Sequence, residues 1–334
     1  LSDMAYVLGI ESSCDETAVA IMKDEQVIVN LISSQIDHAK YGGVIPELAS
    51  RLHQQNIVYL VQQALEEAGI AGRDLSAVAV TQGPGLLGAL LVGICFSKSY
   101  AYALDIPLVG VNHMEAHILA NFIKAPRPSF PFLNLTVSGG HTQLVVVKSF
   151  FEMEIIGQTI DDAAGEAFDK AAKLLGLPYP GGPQVDKHAR EGDPTAFSFP
   201  KAEVGRFQFS FSGIKTALLY LLRDGLKGDP DYIQKNLRDV AASYQHRIVS
   251  ILIEKVEDAA KEYGLNQLAL AGGVSANSQL RADFMAMCER NGWEAFIPSM
   301  AYCTDNAAMI AYAGYHKWKA GMSSELNLSP YTRV

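Results

Sequence analysis

The sequence predicts an α/β protein of two lobes, and three observations lead there. Segments with strand patterning alternate with helical ones along the chain. The 334 residues exceed one average domain, and 49% are apolar, enough for two sizeable cores. The opening scheme of apolar strand, small polar turn and second strand returns near the middle, as F-L-N-L-T-V-S-G-G-H-T-Q-L-V-V-V-K. That return suggests two related halves.

Taken in order, Tyr6–Ile10 and Val19–Met22 read as strands around the turn E-S-S-C-D-E-T, and Val27–Leu31 as a third. Pro46 suits a first helical position, and an amphipathic helix is expected from Glu47 to about Ala68. Ala77–Val80 reads as a buried strand running into Q-G-P-G-L-L-G-A and a small-residue helix. The strand Leu108–Val111 and a helix from His113 to about Ile123 follow. The proline-rich A-P-R-P-S-F-P is the expected boundary between lobes. Beyond the second hairpin the pattern is mainly helical: Asp162–Leu175, Ile214–Arg223, Tyr232–Tyr263 and Asn277–Arg290 after the strand Gln267–Ala271. A last helix opens at Thr304 or Asp305 and runs to about Lys319.

Composition narrows the classes. No apolar run reaches the roughly 18 uninterrupted residues of a membrane span. The start, LSDMAYVLGI, lacks a basic segment followed by an apolar stretch, so it does not read as a signal peptide, and Leu1–Asp3 read as extraneous residues ahead of Met4. Cys14, Cys95, Cys288 and Cys303 form no C-x-x-C pair, which favours reduced thiols in a cytoplasmic protein. A net charge of −9 argues against RNA binding by this chain alone, because phosphate backbones repel acidic surfaces.

Several motifs could carry chemistry. In V-N-H-M-E-A-H-I-L-A, His113 and His117 stand four apart, so a helix projects both imidazoles from one face, as a single metal ion wants. Two packed histidines would show the same spacing. A zincin reading is weakened by Glu115, which stands two places after the first histidine and faces away from the pair. Asp305 could supply a carboxylate ligand, leaving positions open for substrate oxygens as in ferrous sites. It could equally cap the last helix. The turns G-I-E-S-S-C-D-E-T and T-V-S-G-G-H-T-Q, and the segment A-G-G-V-S-A-N that opens a helix, are suited to an anionic or nucleotide group. Asp15 and Glu16 could bind a cation, act as a base, or merely solvate the turn. Asp162 is expected to cap a helix, and the Y-P-G-G-P stretch to form a turn in which Gly182 lets a ligand approach backbone.

These motifs occur together with Y-G-G-V-I-P-E-L-A-S-R, G-P-G-L-L-G-A-L-L-V-G, D-D-A-A-G-E-A-F-D-K, F-S-F-S-G-I-K-T and C-T-D-N-A-A-M-I-A-Y-A-G. In that order, along nearly the whole chain, they resemble the bacterial TsaD family of tRNA threonylcarbamoyladenosine transferases. The resemblance implies a two-lobed actin-like, sugar-kinase-like (ASKHA) fold with a central cleft. It implies lobes at 1–127 and 128–304, with the last helix, 305–320, packing back on the first. It further implies transfer of the threonylcarbamoyl group of threonylcarbamoyl-AMP to N6 of adenosine 37 in tRNAs reading ANN codons. The family's metal ligands map to His113, His117 and Asp305, for one Fe2+ per subunit or zinc in a purified sample. Its nucleotide positions map to Thr136, Val137, Ser138, Gly139, Gly140, Asp169, Gly182, Asp186 and Asn277. Asp15 or Glu16 is the expected acceptor of the amine proton.

Implied partners are tRNA, a TsaB-like paralogue, a TsaE-like ATPase and a TsaC-type enzyme that supplies the adenylate, all cytoplasmic and without a membrane. Lys201, Arg206 and Lys215 are candidates for an RNA face or ordinary surface charges. A kinase of the same fold would have no use for the histidine pair. A non-catalytic scaffold would be expected to have lost the ligands, which stand intact here.

Overall fold

A computed structural model of the chain describes residues 4–333, so Leu1–Asp3 lie outside the described residues. Two compact units are present, one formed by Leu1–Arg127 and Thr304–Val334, the other by Pro128–Cys303.

The first unit is built on β1 (Tyr6–Glu11), β2 (Glu16–Lys23), β3 (Gln26–Ser34), β4 (Ala77–Gly83) and β5 (Leu108–Asn112), ordered β3-β2-β1-β4-β5. The first three strands form an antiparallel meander, and β4 and β5 extend it in parallel. Alternation along β1 sends successive residues to opposite faces of the sheet. On one face Ile10 meets Gly93 of α2 (Leu87–Leu104), which packs beside α1 (Pro46–Ala68). On the other, Gly9 admits α9 (Ala307–Lys319) so closely that a Cβ would lie 2.6 Å from the carbonyl oxygen of Ala307. The small residues Ala307 and Ala311 make that approach to Gly9 sterically feasible, and further along α9 Gly314 packs as closely on Ala79 of β4. Helix α2 is long and apolar enough to cross a membrane by length and composition. Here it buries Leu90 and Ile94 in a core with Leu8, Ile10, Val78 and Val80.

The second unit repeats the scheme with β6 (Phe132–Val137), β7 (Thr142–Ser149), β8 (Glu152–Gln158), β9 (Gln267–Ala271) and β10 (Glu294–Phe296), ordered β10-β9-β6-β7-β8. Again three antiparallel strands come first and two parallel strands extend the sheet. The helices are α4 (Ala164–Leu174), α5 (Gly181–Ala189), α6 (Ser212–Gly228), the long α7 (Tyr232–Tyr263) and α8 (Ser278–Asn291). Phe168, Val185, Leu218 and Tyr244 from these helices join Leu133, Leu135 and Leu144 of the sheet in one core.

Two expected helix starts differ. Asp162 does not cap α4; Ala163 holds that position, and Asp162 instead pairs with Lys170 at 2.8 Å and Lys215 at 3.0 Å. The last helix starts two residues after Asp305, and the Asn306 side chain caps it by accepting from the Met309 N–H at 3.0 Å. The turn Y-P-G-G-P runs directly into α5, a helix not expected from the sequence.

Candidate metal centre and nucleotide-facing turns

In the first unit α3 (His113–Leu119) begins directly after β5, capped by Asn112, whose side-chain oxygen accepts from the Met114 and Glu115 N–H groups. Both imidazoles are buried. Because Asn306 takes the cap of α9, the Asp305 carboxylate is free to face them. His117 Nε2 lies 3.2 Å from His113 Nε2 and 3.0 Å from Asp305 Oδ1, and His113 Nε2 lies 3.4 Å from the same oxygen. Metal bonds of about 2.1 Å at angles between about 90° and 110° separate neighbouring ligand atoms by about 3.0–3.4 Å. The three donors therefore fit a single metal ion, and they are the described residues that could hold one. Glu115 is turned away to Lys317, 3.7 Å distant, so it is not placed as the base of a metallopeptidase.

Sequence reading missed a fourth participant, Glu11. It ends β1, fully buried, and its Oε2 lies 2.9 Å from His113 Nδ1. Thr81 Oγ1 donates to the same oxygen at 2.6 Å, and the Ser13 N–H donates to Oε1. The available signal was an acid closing an otherwise apolar buried strand. Burial opposes ionisation of Glu11, yet the charge and hydrogen bond of His113 hold its pKa below the usual carboxylate value. Burial likewise opposes charge on His113, and the Asp305 and Glu11 carboxylates overcome it, raising the imidazole pKa well above its ordinary value. Asp305 is desolvated too, and the two histidines drive its pKa far down.

Asp15 closes the β1–β2 turn and Glu16 opens β2 in the same unit, both half-buried. Burial, then the Asp305 and Asp15 charges, push the Glu16 carboxyl up to about 9. All four cysteines are free thiols.

The second unit holds the other sequence-derived positions. Thr136 and Val137 end β6, and Ser138–Gly140 form an exposed-tipped turn closed by the Ser138 N–H donating to the His141 carbonyl at 2.8 Å. A Cβ added at Gly139 or Gly140 would meet nothing within 4 Å, so the fold itself leaves that turn open. Asp169 accepts from the Gly181 and Gly182 N–H groups at 2.8 and 3.3 Å and thereby anchors the start of α5. On the next turn of α5, Asp186 accepts from Ser278 Oγ at 2.6 Å and Gln245 Nε2 at 3.2 Å. Asn277 caps α8 and donates to Gln245 Oε1 at 2.7 Å. Buried Gln245 of α7 thus joins Asp186 to Asn277, a link that sequence spacing could not reveal. Asp169→Ala is expected to destabilise the second unit by about 1 kcal/mol, the usual cost of losing a helix cap. Asp169→Asn keeps the accepting oxygen and most of the stability; urea unfolding monitored on both variants checks this.

Of the basic residues considered as an RNA face, Lys201 pairs with Glu254, Arg206 with Glu262 and Lys215 with Asp162.

Comparison with known proteins sets this geometry in context. The family model described as TsaD, tRNA N6-adenosine threonylcarbamoyltransferase, matches residues 26–312. A protein of that name from Cytophaga hutchinsonii is 56% identical over 98% of this chain and 96% of its own length. Another from Porphyromonas gingivalis is 53% identical, covering 98% of each. Among solved structures, full-length HypF superposes with a TM-score of 0.62 at 14% identity, over 96% of this chain and 47% of HypF. The activator of 2-hydroxyisocaproyl-CoA dehydratase from Clostridium difficile gives a TM-score of 0.52 at 12% identity, over 95% of this chain and 96% of its own. Those two likenesses concern the fold, which is the α/β ASKHA type. Sequence match, fold and ligand set agree, and the chain belongs to the TsaD family of tRNA N6-adenosine threonylcarbamoyltransferases.

Proposed function

We infer that this chain transfers the threonylcarbamoyl group of threonylcarbamoyl-AMP to N6 of adenosine 37 in tRNAs reading ANN codons, forming t6A and AMP. The observation that carries this is the His113–His117–Asp305 triad, whose donor atoms lie within 4.8 Å of one another in a chain of that family. Two imidazoles and one carboxylate suit iron or zinc, and the reading here is one Fe2+ per subunit, with zinc able to replace it on purification. A divalent ion held there supplies Lewis acidity toward an acyl or phosphoryl oxygen.

The remaining acceleration falls to the chain's own groups. The exocyclic amine of adenosine is a weak nucleophile and AMP a good leaving group, so fixed orientation of the two reactants contributes much of the rate. In the second unit, the open Ser138–Gly140 turn, carried by the buried Thr136 and Val137 at the end of β6, is assigned to the adenylate phosphate, where backbone N–H groups can approach it closely. Asp169 sets the backbone at Gly182, and the Asp186–Gln245–Asn277 network pre-orders the adjoining side chains for the nucleoside. In the first unit, Asp15 takes the proton released by the amine; Glu16, whose carboxyl is pushed up to about 9 and so holds its proton near neutral pH, could do so only once ionised. Asp15→Ala is expected to lower transfer by about 100-fold or more, within the usual contribution of a general base, with metal content unchanged. Wild-type transfer by Asp15→Ala with bound adenylate would remove Asp15 from the mechanism.

The family acts on tRNA, and this chain's net charge of −9 is supporting ground for shared RNA binding. A TsaB-like paralogue and a TsaE-like ATPase are the proposed cytoplasmic partners, with a TsaC-type enzyme making the adenylate. The test is reconstitution: the chain, these partners, unmodified ANN-decoding tRNA, threonine, bicarbonate and ATP, with nucleosides read by mass spectrometry. Appearance of t6A that depends on this chain supports the reading. Its absence with partners of verified activity overturns it.

A further inference from the structure

We propose that Glu11 is a positioning residue for the metal centre, holding the Nδ1 proton of His113 so that Nε2 is turned toward His117 and Asp305. The inference rests on the metal-site reading above and extends it to a residue outside the ligand set. Glu11 has every feature of a fixed acceptor. It is fully buried, and its two oxygens receive the Ser13 N–H, the Thr81 hydroxyl and the His113 ring nitrogen. Each of those donors comes from a different segment, the β1–β2 turn, β4 and α3, so the carboxylate cannot swing without losing all of them.

The consequences for the histidines are unequal. His113 has an acceptor behind it, whereas His117 Nδ1 is buried with no hydrogen-bond partner among the described residues. The two rings stand edge to face, with centroids 4.6 Å apart and planes at 89°. Holding His113 therefore also limits the orientations open to His117. A buried carboxylate is costly unless its charge is balanced. Glu11 and Asp305 together carry two negative charges beside two imidazoles, the amount one divalent cation offsets. An acceptor on the far nitrogen of a ligating histidine fixes its tautomer and raises its basicity, and loss of such a partner typically weakens metal binding about 10–100-fold.

Glutamine at position 11 keeps the size but offers one acceptor oxygen to three donors, so at least one donor must face an amide N–H. The full chain, freed of metal with a chelator, is titrated with Co2+ against a chromophoric competitor while the visible d–d spectrum is recorded. Glu11→Gln is expected to bind Co2+ about 10–100-fold more weakly, with a shifted d–d band and an unchanged far-UV circular dichroism spectrum. Thr81→Val removes one donor to Glu11 but leaves its charge, and should shift the spectrum in the same sense with a smaller loss of affinity. It carries the test by itself if Glu11→Gln does not fold. Wild-type affinity and an unshifted band in the folded variant overturn the role of Glu11. Failure of the unmutated chain to take up Co2+ overturns the metal site itself, so the two failures are distinguishable.

Discussion

Alanine in place of His117 is expected to leave the first unit folded but without its metal, and to lower transfer by at least about 100-fold. The magnitude follows from what is removed. Outer partners of ligating histidines cost roughly 10–100-fold in metal affinity, and loss of one of three direct ligands exceeds that. His117 has no hydrogen-bonding role at its other nitrogen, so its Nε2 beside His113 and Asp305 is its evident contribution. Two measurements separate the metal from general damage. Metal content by mass spectrometry should fall from one equivalent to near zero. Metal added at about a hundred times the dissociation constant should stabilise the unmutated chain by about 2.7 kcal/mol and the variant hardly at all. Glu115→Gln is the control, because Glu115 sits on the same helix but its partly exposed carboxylate faces Lys317, a contact worth at most about 1 kcal/mol. A peptidase-like mechanism would require Glu115→Gln to be inactive and His117→Ala to be no worse. Full metal content and full transfer in His117→Ala would discard the centre and leave the family assignment standing.

The sequence showed the local parts of this centre and could not show the distant ones. The four-residue spacing placed His113 and His117 on one helical face, and α7 and β9 have the bounds that their periodicity suggests, Tyr232–Tyr263 and Gln267–Ala271. What escaped depends on long-range contacts. Asp305 had two readings, cap or ligand, and the choice turned on its neighbour Asn306, whose side chain is the one that reaches Met309 N–H. Glu11 meets His113 across 102 residues, and no local pattern announces such a meeting. Helix α5 was hidden because Tyr-Pro-Gly-Gly-Pro carries turn chemistry. Its start is held by Asp169 from 12 residues upstream, a cap supplied by another helix. Strand β8 is largely exposed and lacks a clean alternation, and β10 has three residues, too few for a period to register.

Two glycine positions in the second unit are expected to answer differently to the same substitution. Gly272→Ala should destabilise that unit by about 3 kcal/mol or more. Its φ of +83° with ψ of 164° lies in a region essentially reserved for glycine, which alone costs about 1–3 kcal/mol. A Cβ there would also lie 2.4 Å from the Val137 carbonyl oxygen and 2.8 Å from its carbonyl carbon, and that backbone cannot step aside cheaply. Relief would push β6 away just where Val137 leads into Ser138–Gly140. Gly139→Ala, by contrast, meets nothing within 4 Å, so its unfolding midpoint in urea should match that of the unmutated chain. If the turn cradles the adenylate phosphate, the added methyl occupies space the ligand's approach requires, and AMP affinity should fall at least about 10-fold, or 1.4 kcal/mol. Calorimetric AMP titration of Gly139→Ala therefore separates the ligand's demand for glycine from the fold's. Unchanged AMP binding in Gly139→Ala would move the phosphate off this turn, whatever Gly272→Ala does to stability.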